Sequence, residues 1–509
     1  MLGRLILLIA AVVLYAGAAH AEWQQAKTKH FIIYADADSD ELREYATKLE
    51  TFDQAVRIAR KMPDPPLTDA GRLTIYTFKD VPALNRLLNT GRAIYGIYFS
   101  RASGSLAFVA RHKPQGPGEM NPDNVFFHEY AHHLMLQGLG IYYPPWLVEG
   151  FAELLSTAEI GANGSVILGA AANHRSAGIF APDRDFPVSA MVGDTTRSLD
   201  GWQRELLYSR GWLLTHYLTF EPSRKGQLDR YVEGIRSGKP PVESAKNAFG
   251  DLLKLGRDLD AYARRKTLSG TIIQTDQSKI GSIDIRPLTP PEEAILPVRM
   301  RSDFGVSPAT ARWVAGRARN VARRFPDSPV VQAALAEAEY DARDYTAAIA
   351  AADRALSANP NNVAALIYRG RALMALAKEN PSSADWQGIR NWFVRANHAD
   401  PENPEPLMRF YQTYKEAGAT PPAGAVKGLL YALVLAPQDN NLRLMAVRQL
   451  LIDQKLPEAR ESFAPLAFDP HARDFRDTAK SVLQAIEASE PARAVALIDA
   501  WEDKHGDED

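Results

Sequence analysis

The sequence contains no cysteine among its 509 residues. This absence excludes disulfides, thiolate metal ligands and a lipid carried on an N-terminal cysteine. Any metal ion therefore has to be held by histidine and carboxylate side chains. Stability has to come from the size of the hydrophobic cores.

The chain also lacks an excess of charge of either sign. Its 59 Lys and Arg residues nearly balance 61 Asp and Glu residues, for a formal net charge of −2. This balance gives no bulk attraction to nucleic acid or to an anionic membrane, so we expect neither as a partner. Apolar residues make up 46% of the chain, which is ordinary for a soluble globular protein. The length predicts more than one folded unit.

Long apolar runs are absent except at the start of the chain. Residues 1–4 are basic, residues 5–16 are apolar, and residues 19–21 read Ala-His-Ala. This order predicts a cleaved signal peptide over residues 1–21. An uncleaved anchor is the alternative, although the run is short for a bilayer span. We therefore expect an exported protein, periplasmic or extracellular, with no membrane anchor after cleavage.

Residues 22–120 mix strand and helix patterns. Alternating apolar residues predict strands, and apolar residues at helical spacing predict a helix. An aspartate series at positions 36, 38 and 40 suggests a calcium loop, but the required glycine and final glutamate are missing, so helix capping explains it better. The predicted strands are 30–35, 73–78 and a hairpin of 94–99 with 105–111, and the predicted helix is 40–60.

The remainder of the chain divides by composition. Residues 121–266 are largely helical, and residues 267–303, rich in Ser, Thr and Pro, predict a linker with two short strands. Residues 304–485 are rich in Ala, Leu and Arg and contain an internal repeat. Residues 486–509 are expected to be an acidic tail.

The repeat is marked by prolines, each of which is expected to close a pair of helices. In the clearest unit, residues 329–360, small and apolar residues occupy positions that resemble a tetratricopeptide repeat. The resemblance implies a curved array whose concave face binds a protein partner. A nonrepetitive helical bundle is the alternative. The prolines are Pro326, Pro360, Pro401, Pro437 and Pro470.

The motif H-E-x-x-H runs from His128 to His132. On a helix, residues four apart project from one face, so both imidazoles can bind one metal ion. Glu129 lies beside them, where its carboxylate can take a proton from a water molecule at the metal. A solvated helix turn without a function is the alternative. The apolar residues that flank the motif instead predict a buried helix, in which the two histidines and the glutamate need partners.

A catalytic zinc ion usually takes three protein ligands. After the turn at Pro144-Pro145, a second helix is expected near Trp146, with Glu149 and Glu153 on one face. The segment Trp-Leu-Val-Glu-Gly-Phe-Ala-Glu, with the preceding H-E-x-x-H, resembles the gluzincin metallopeptidases, which include thermolysin and the aminopeptidase-N-like enzymes. The resemblance implies that Zn²⁺ is the cofactor and that Glu149 is its third ligand.

The same resemblance assigns two further residues. Glu153 would be the carboxylate that orients a ligand imidazole; an exposed helix charge, or a ligand in place of Glu149, is the alternative. Tyr208 opens the segment Tyr-Ser-Arg-Gly-Trp-Leu-Leu, which resembles the helix whose tyrosine donates to the oxyanion in aminopeptidase-like gluzincins. An ordinary core tyrosine is the alternative.

One departure from the family concerns substrate choice. Aminopeptidases of this group carry a G-x-M-E-N segment that anchors the free amine of the substrate, and no such motif occurs here. The strand 105–111 could hold an extended peptide by edge pairing. An endopeptidase is therefore favoured over an aminopeptidase.

The remaining histidines show no ligand spacing. We expect His133 either to be structural or to support a ligand side chain, His174 to border the cleft and His216 to pack in the core, and we assign no role to His30.

Together these features predict an α+β gluzincin-like peptidase domain followed by an all-α tetratricopeptide-repeat solenoid. The expected function is that of a secreted zinc metallopeptidase acting on a peptide or protein substrate. A repeat-based binding scaffold with an inactive or structural zinc domain is the alternative, and zinc-dependent hydrolysis of a non-peptide amide is another.

Overall fold

A computed structural model of the chain gives a mixed α/β part followed by an all-α part. The predicted signal peptide, residues 1–21, lies outside the described residues. No helix within the described ranges is long and apolar enough to cross a membrane. The described residues are 23–88, 94–111, 121–138, 143–193, 199–467 and 475–505.

The strands of the described residues form two sheets. They are β1 (Trp23–Lys27), β2 (Phe31–Asp36), β3 (Leu73–Phe78), β4 (Gly96–Phe99), β5 (Leu106–Ala110), β6 (Glu159–Ile160), β7 (Ser165–Leu168), β8 (Thr271–Gln274) and β9 (Asp284–Pro287).

The larger sheet has the strand order β4-β5-β3-β2-β1-β9, and the smaller one has the order β6-β7-β8. The pairs β2–β3 and β3–β5 are parallel, and the other pairs of the larger sheet are antiparallel. Alternate residues of each strand face opposite sides, so the sheet carries two separate cores. Ile33 and Ile75 belong to one core, and Tyr34 and Tyr76 belong to the other.

The strand predictions for 30–35 and 73–78 are confirmed by β2 and β3. The predicted hairpin is confirmed by the antiparallel pair β4–β5. The expectation that strand 105–111 is free for edge pairing is wrong, because β5 lies between β4 and β3. The edge strand of the sheet at this end is β4.

Helices of the mixed part cover the sheet and build the region after it. They are α1 (Ser39–Arg60), α2 (Val81–Leu88), α3 (Pro122–Gly138), α4 (Pro145–Ser156), α5 (Ser176–Ile179), α6 (Val188–Met191), α7 (Gly201–Phe220), α8 (Gln227–Arg236), α9 (Pro241–Phe249) and α10 (Leu252–Ala263).

Helix α1 begins at a capping aspartate, as the sequence predicts. The Asp38 carboxylate accepts hydrogen bonds from the backbone N–H groups of Asp40 and Glu41. Its apolar face packs on α3, where the rings of Phe52 and Phe127 stack with centroids 3.9 Å apart. Helix α3 is thereby held against the sheet and α1.

The all-α part consists of helices in consecutive order, in which each packs against the next. They are α11 (Pro290–Phe304), α12 (Pro308–Arg324), α13 (Pro329–Asp341), α14 (Tyr345–Ala358), α15 (Val363–Glu379), α16 (Trp386–Ala399), α17 (Pro404–Glu416), α18 (Ala423–Leu435), α19 (Asn440–Ile452), α20 (Leu456–Ala467), α21 (Arg476–Glu487) and α22 (Pro491–His505).

The prolines of the repeat fall where the sequence predicts them. Pro326, Pro360, Pro401 and Pro437 each lie two residues beyond the end of an even-numbered helix, from α12 to α18. Pro470 lies outside the described residues. Odd-numbered helices of successive pairs also contact one another, namely α11 with α13, α13 with α15, and α15 with α17.

Two boundary predictions are wrong. Residues 267–303 do carry two strands, but β8 pairs with β7 and β9 with β1, and residues 290–303 form most of α11, so the segment is no free linker. Within the described part of residues 486–509, the chain is not an acidic tail, since α22 buries Ala494 and Ile498 against neighbouring helices. Its acidic residues lie on the other faces of the helix, and this is why the acidic composition suggests a tail although the segment is a packed helix.

The hairpin β4–β5 joins the two parts of the chain. The backbone N–H of Ala102 donates to the carboxylate of Asp439 at 2.6 Å, and the Gln438 amide donates to Ser105 at 3.1 Å. On the face of the sheet that carries Tyr76, Leu296 of α11 packs in the same core as Tyr76. The helical part is therefore docked onto the sheet next to the edge strand.

Candidate metal centre

Helix α3 brings the two motif histidines together. The Nε2 atoms of His128 and His132 lie 3.1 Å apart, and each residue is 9% exposed. Their four-residue spacing produces this convergence, because the helix turns once in 3.6 residues. Glu129 follows His128 on the same helix and is partly exposed.

Helix α4 adds Glu149, which is fully buried. Its Oε2 atom lies 3.4 Å from Nε2 of His128 and 3.7 Å from Nε2 of His132. Two ligands about 2.1 Å from a tetrahedral zinc ion lie roughly 3.4 Å from each other. These three side chains, called the metal group below, therefore have donor types and separations that could hold a metal ion such as zinc.

Glu153, one turn further along α4, is on the other side of the His128 ring. Its Oε1 atom lies 3.3 Å from Nδ1 of His128, and the residue is 1% exposed. It is therefore neither an exposed helix charge nor a competitor of Glu149 for the Nε2 side. A carboxylate on the outer nitrogen of a metal-binding imidazole is the usual arrangement for fixing ring orientation and tautomer.

The two carboxylates on His128 also affect its protonation. Burial lowers the pKa of the imidazole, but hydrogen bonds with Glu149 and Glu153 and the charges of both outweigh burial and raise its pKa to about 10. A metal ion that takes Nε2 has to displace a proton at neutral pH.

Tyr208 on α7 lies against the same group. Its ring stacks on His128 with centroids 5.9 Å apart and an interplanar angle of 18°. Burial raises the pKa of the phenol, and the charges of Glu149 and Glu129 raise it further. The hydroxyl consequently stays protonated over the physiological range, as a hydrogen-bond donor has to be.

The crossing of α4 and α7 depends on two glycines that face each other. A Cβ at Gly150 would collide with the carbonyl group of Gly211, and a Cβ at Gly211 would lie 2.7 Å from the carbonyl oxygen of Trp146. The backbones therefore touch, which brings Glu149 and Tyr208 to the same imidazole. The motifs contain these glycines, but the sequence alone does not tell that they meet.

A second histidine–carboxylate group exists near α1. His30, Glu50 and Asp53 are buried close together. Nδ1 of His30 lies 2.8 Å from Glu50, and the guanidinium of Arg57 donates to Asp53 at 2.7 Å. These are hydrogen-bond distances, and Arg57 supplies a cation, so the group forms a buried ion-pair network.

The ion-pair network around His30 is also connected to helix α3. The hydroxyl of Tyr130, between the two motif histidines in sequence, donates to Asp53 at 2.7 Å. His133 is also buried, with Nδ1 2.8 Å from the Tyr98 hydroxyl of β4. Burial lowers the pKa of His133 to about 3, so this ring stays neutral. These contacts hold His133 between α3 and β4.

His216 is fully buried and contacts the Tyr262 hydroxyl at 2.9 Å, as expected for a core histidine. His174 contacts Glu153, the carboxylate at Nδ1 of His128, with its Nε2 atom 3.0 Å from that carboxylate. The neighbouring Arg175 and its partner Glu205 were not predicted. They come from a short loop and an ordinary helix position, where no motif or periodicity marks a role.

A search against protein-family models and a search of curated proteins find no match to this chain.

Proposed function

We propose that the chain is an exported zinc-dependent metallopeptidase of the gluzincin type, with a tetratricopeptide-like array for binding a protein partner. The observation that carries this proposal is the convergence of His128, His132 and Glu149 from two helices, with separations that suit one zinc ion. The carboxylate of Glu153 on the outer nitrogen of His128 supports it further.

A zinc ion held by these three residues would polarise the scissile carbonyl and lower the pKa of a water molecule. Glu129 takes a proton from the attacking water and passes it to the leaving amine. The Tyr208 hydroxyl donates a hydrogen bond to the oxygen on which negative charge develops. Its high pKa supports this role because the group keeps its proton.

The proposed substrate is an extended peptide. Strand β4 lies at the edge of the sheet and contacts α3, so a peptide paired with β4 would run along the helix that carries the motif. This geometry and the missing amine-anchoring motif favour an endopeptidase over an aminopeptidase.

The proposal of a tetratricopeptide-like array is supported by the helix pairs, by the prolines that close them and by contacts between the first helices of neighbouring pairs. Export is inferred from the apolar segment of residues 5–16.

The peptidase proposal is tested with the zinc-loaded chain and a mixed peptide library read by mass spectrometry. We expect cleavage by the wild type and a loss of about three orders of magnitude for Glu129→Gln, since general-base catalysis and water activation are both removed. Glu159→Gln, which changes an exposed glutamate on β6, is the matched control and should cleave as the wild type does.

The peptidase proposal fails if no peptide is cleaved by the wild type and spared by Glu129→Gln. The binding scaffold with a structural zinc domain then becomes the better account.

A further inference from the structure

Arg175 lies between α4, which carries Glu149 and Glu153, and α7, which carries Tyr208. It ends a short turn after β7, and its side chain is 19% exposed. Its guanidinium contacts α4 on one side and α7 on the other. None of the motifs in the sequence includes this residue.

The contact with α4 is made to Glu153. Nη2 and Nε of Arg175 donate to Oε1 of Glu153 at 2.7 and 3.1 Å. The same oxygen lies 3.3 Å from Nδ1 of His128. Because Oε1 is shared, a movement of Arg175 changes the position of the carboxylate that orients the His128 ring.

The contacts with α7 are made to Glu205 and Tyr208. Nη1 donates to Glu205 at 2.7 Å, and the guanidinium carbon lies 4.8 Å from the centre of the Tyr208 ring. Glu205 is one turn before Tyr208, so the ion pair fixes the guanidinium over the ring. A cation over an aromatic face adds attraction at a distance of this size.

We propose that Arg175 is the positioning residue that holds Glu153 and Tyr208 in their places around the metal group. This inference rests on the zinc site proposed above. A lysine cannot substitute fully, because its ammonium lacks the planar fork that reaches two carboxylates while lying on a ring.

A role for Arg175 as the receptor of a substrate carboxylate is less consistent with its contacts. Its single positive charge is already shared by Glu153 and Glu205. A receptor would raise KM only for substrates with a carboxylate nearby, whereas a positioning residue affects zinc binding and kcat for every substrate.

The test compares Arg175→Gln and Arg175→Lys with a matched control, Arg224→Gln. Arg224 also pairs with a carboxylate, Asp258 at 2.6 Å, and also lies over a tyrosine of α7, Tyr217 at 5.2 Å, but it has no contact with the metal group. Zinc affinity is measured by competition with a chromophoric chelator, and kcat and KM are measured on cleaved peptides.

We expect Arg175→Gln to weaken zinc binding about tenfold and to lower kcat about 100-fold with KM changed less than about threefold, in line with the loss of groups that orient metal ligands. Arg175→Lys should recover only part of both losses, and Arg224→Gln should match the wild type in both. Zinc affinity is measured without substrate, so it remains informative if the wild type cleaves no peptide. The proposal is overturned if Arg175→Gln binds zinc like Arg224→Gln, or if only KM changes.

Discussion

At the scale of single residues, the metal group combines donors that suit zinc with neighbours that orient them. His128 contacts Glu149 through one ring nitrogen and Glu153 through the other. These contacts fix the orientation of this imidazole. Preorganisation of this kind is what a catalytic centre needs, because reorganisation during the reaction raises the barrier.

Removing the Tyr208 hydroxyl tests the role of Tyr208, which contacts His128 as Glu149 and Glu153 also do. For Tyr208→Phe we expect kcat to fall about 100-fold, as for the loss of an oxyanion donor, with zinc affinity and KM nearly unchanged. The readout is steady-state kinetics together with zinc titration. Tyr217→Phe, on the same helix but away from the metal group, is the control. Equal kcat values for Tyr208→Phe and the wild type would remove the assigned role.

The ligands of α3 could be predicted because the helical repeat alone places residues i and i+4 on one face. The prediction of Glu149 as a ligand depended on the resemblance of its surrounding segment to the gluzincin motif, since no local pattern fixes the distance between two helices. Arg175 could not be predicted, because a loop residue has no periodic pattern. The network around His30 also escaped prediction, since a strand and a helix distant in sequence form it.

At the scale of elements, the crossing of α4 and α7 decides whether Tyr208 lies beside the metal group. Its two glycines allow a backbone contact that any side chain would prevent. Helix α3 has a comparable dependence, because Tyr130 ties it to the charged network on α1.

We expect Gly150→Ala to separate α4 from α7, to destabilise the fold by about 1–3 kcal/mol and to weaken zinc binding, because the added methyl group overpacks the contact. Gly316→Ala is the matched control. It lies in α12, where an added Cβ would meet no atom within 4 Å outside its own stretch of helix, and alanine should stabilise that helix by up to about 1 kcal/mol. Thermal unfolding and zinc titration measure both effects. Unchanged zinc affinity in Gly150→Ala would show that the close crossing is dispensable.

The His30 network predicts a pH dependence of stability. Burial lowers the pKa of His30, but the hydrogen bond with Glu50 and the charges of Asp53 and Glu50 outweigh it, so the pKa lies above its usual 6.5. A raised folded-state pKa contributes stability that is complete below about pH 6.5 and is lost as pH rises through the folded value.

His30→Gln should therefore destabilise the protein most near pH 6, by about 3 kcal/mol for a broken buried pair, and less near pH 9. Denaturant unfolding at both pH values measures the difference. His398→Gln, at an exposed position of α16, is the control and should show no such trend. A destabilisation of equal size at both pH values would contradict the charged state of His30.

At the scale of the whole molecule, the mixed α/β part and the helical part form one connected structure. Its class could be predicted from periodicity, because helical and strand repeats differ and proline ends helices. The boundaries between its segments could not be predicted from the sequence. Serine, threonine and proline in residues 267–303 suggest a linker but also suit short edge strands, and the acidic residues after 486 hide the buried stripe of α22.

The docking of the helical part next to β4 connects this architecture to the proposed activity. Gln438 and Asp439, at the start of α19, hold the hairpin whose first strand contacts α3. In the proposed function, a protein partner bound along the tetratricopeptide-like array would therefore lie on the part of the molecule that supports the peptide-binding edge.

The central claim is that His128, His132 and Glu149 together hold one zinc ion. The most direct measurement is the metal content of the protein by mass spectrometry after dialysis against a weak chelator, for the wild type and for Glu149→Gln. The account predicts about one equivalent of zinc in the wild type and a clear deficit in the variant. A wild type that retains no zinc, or a variant that retains as much as the wild type, would contradict it.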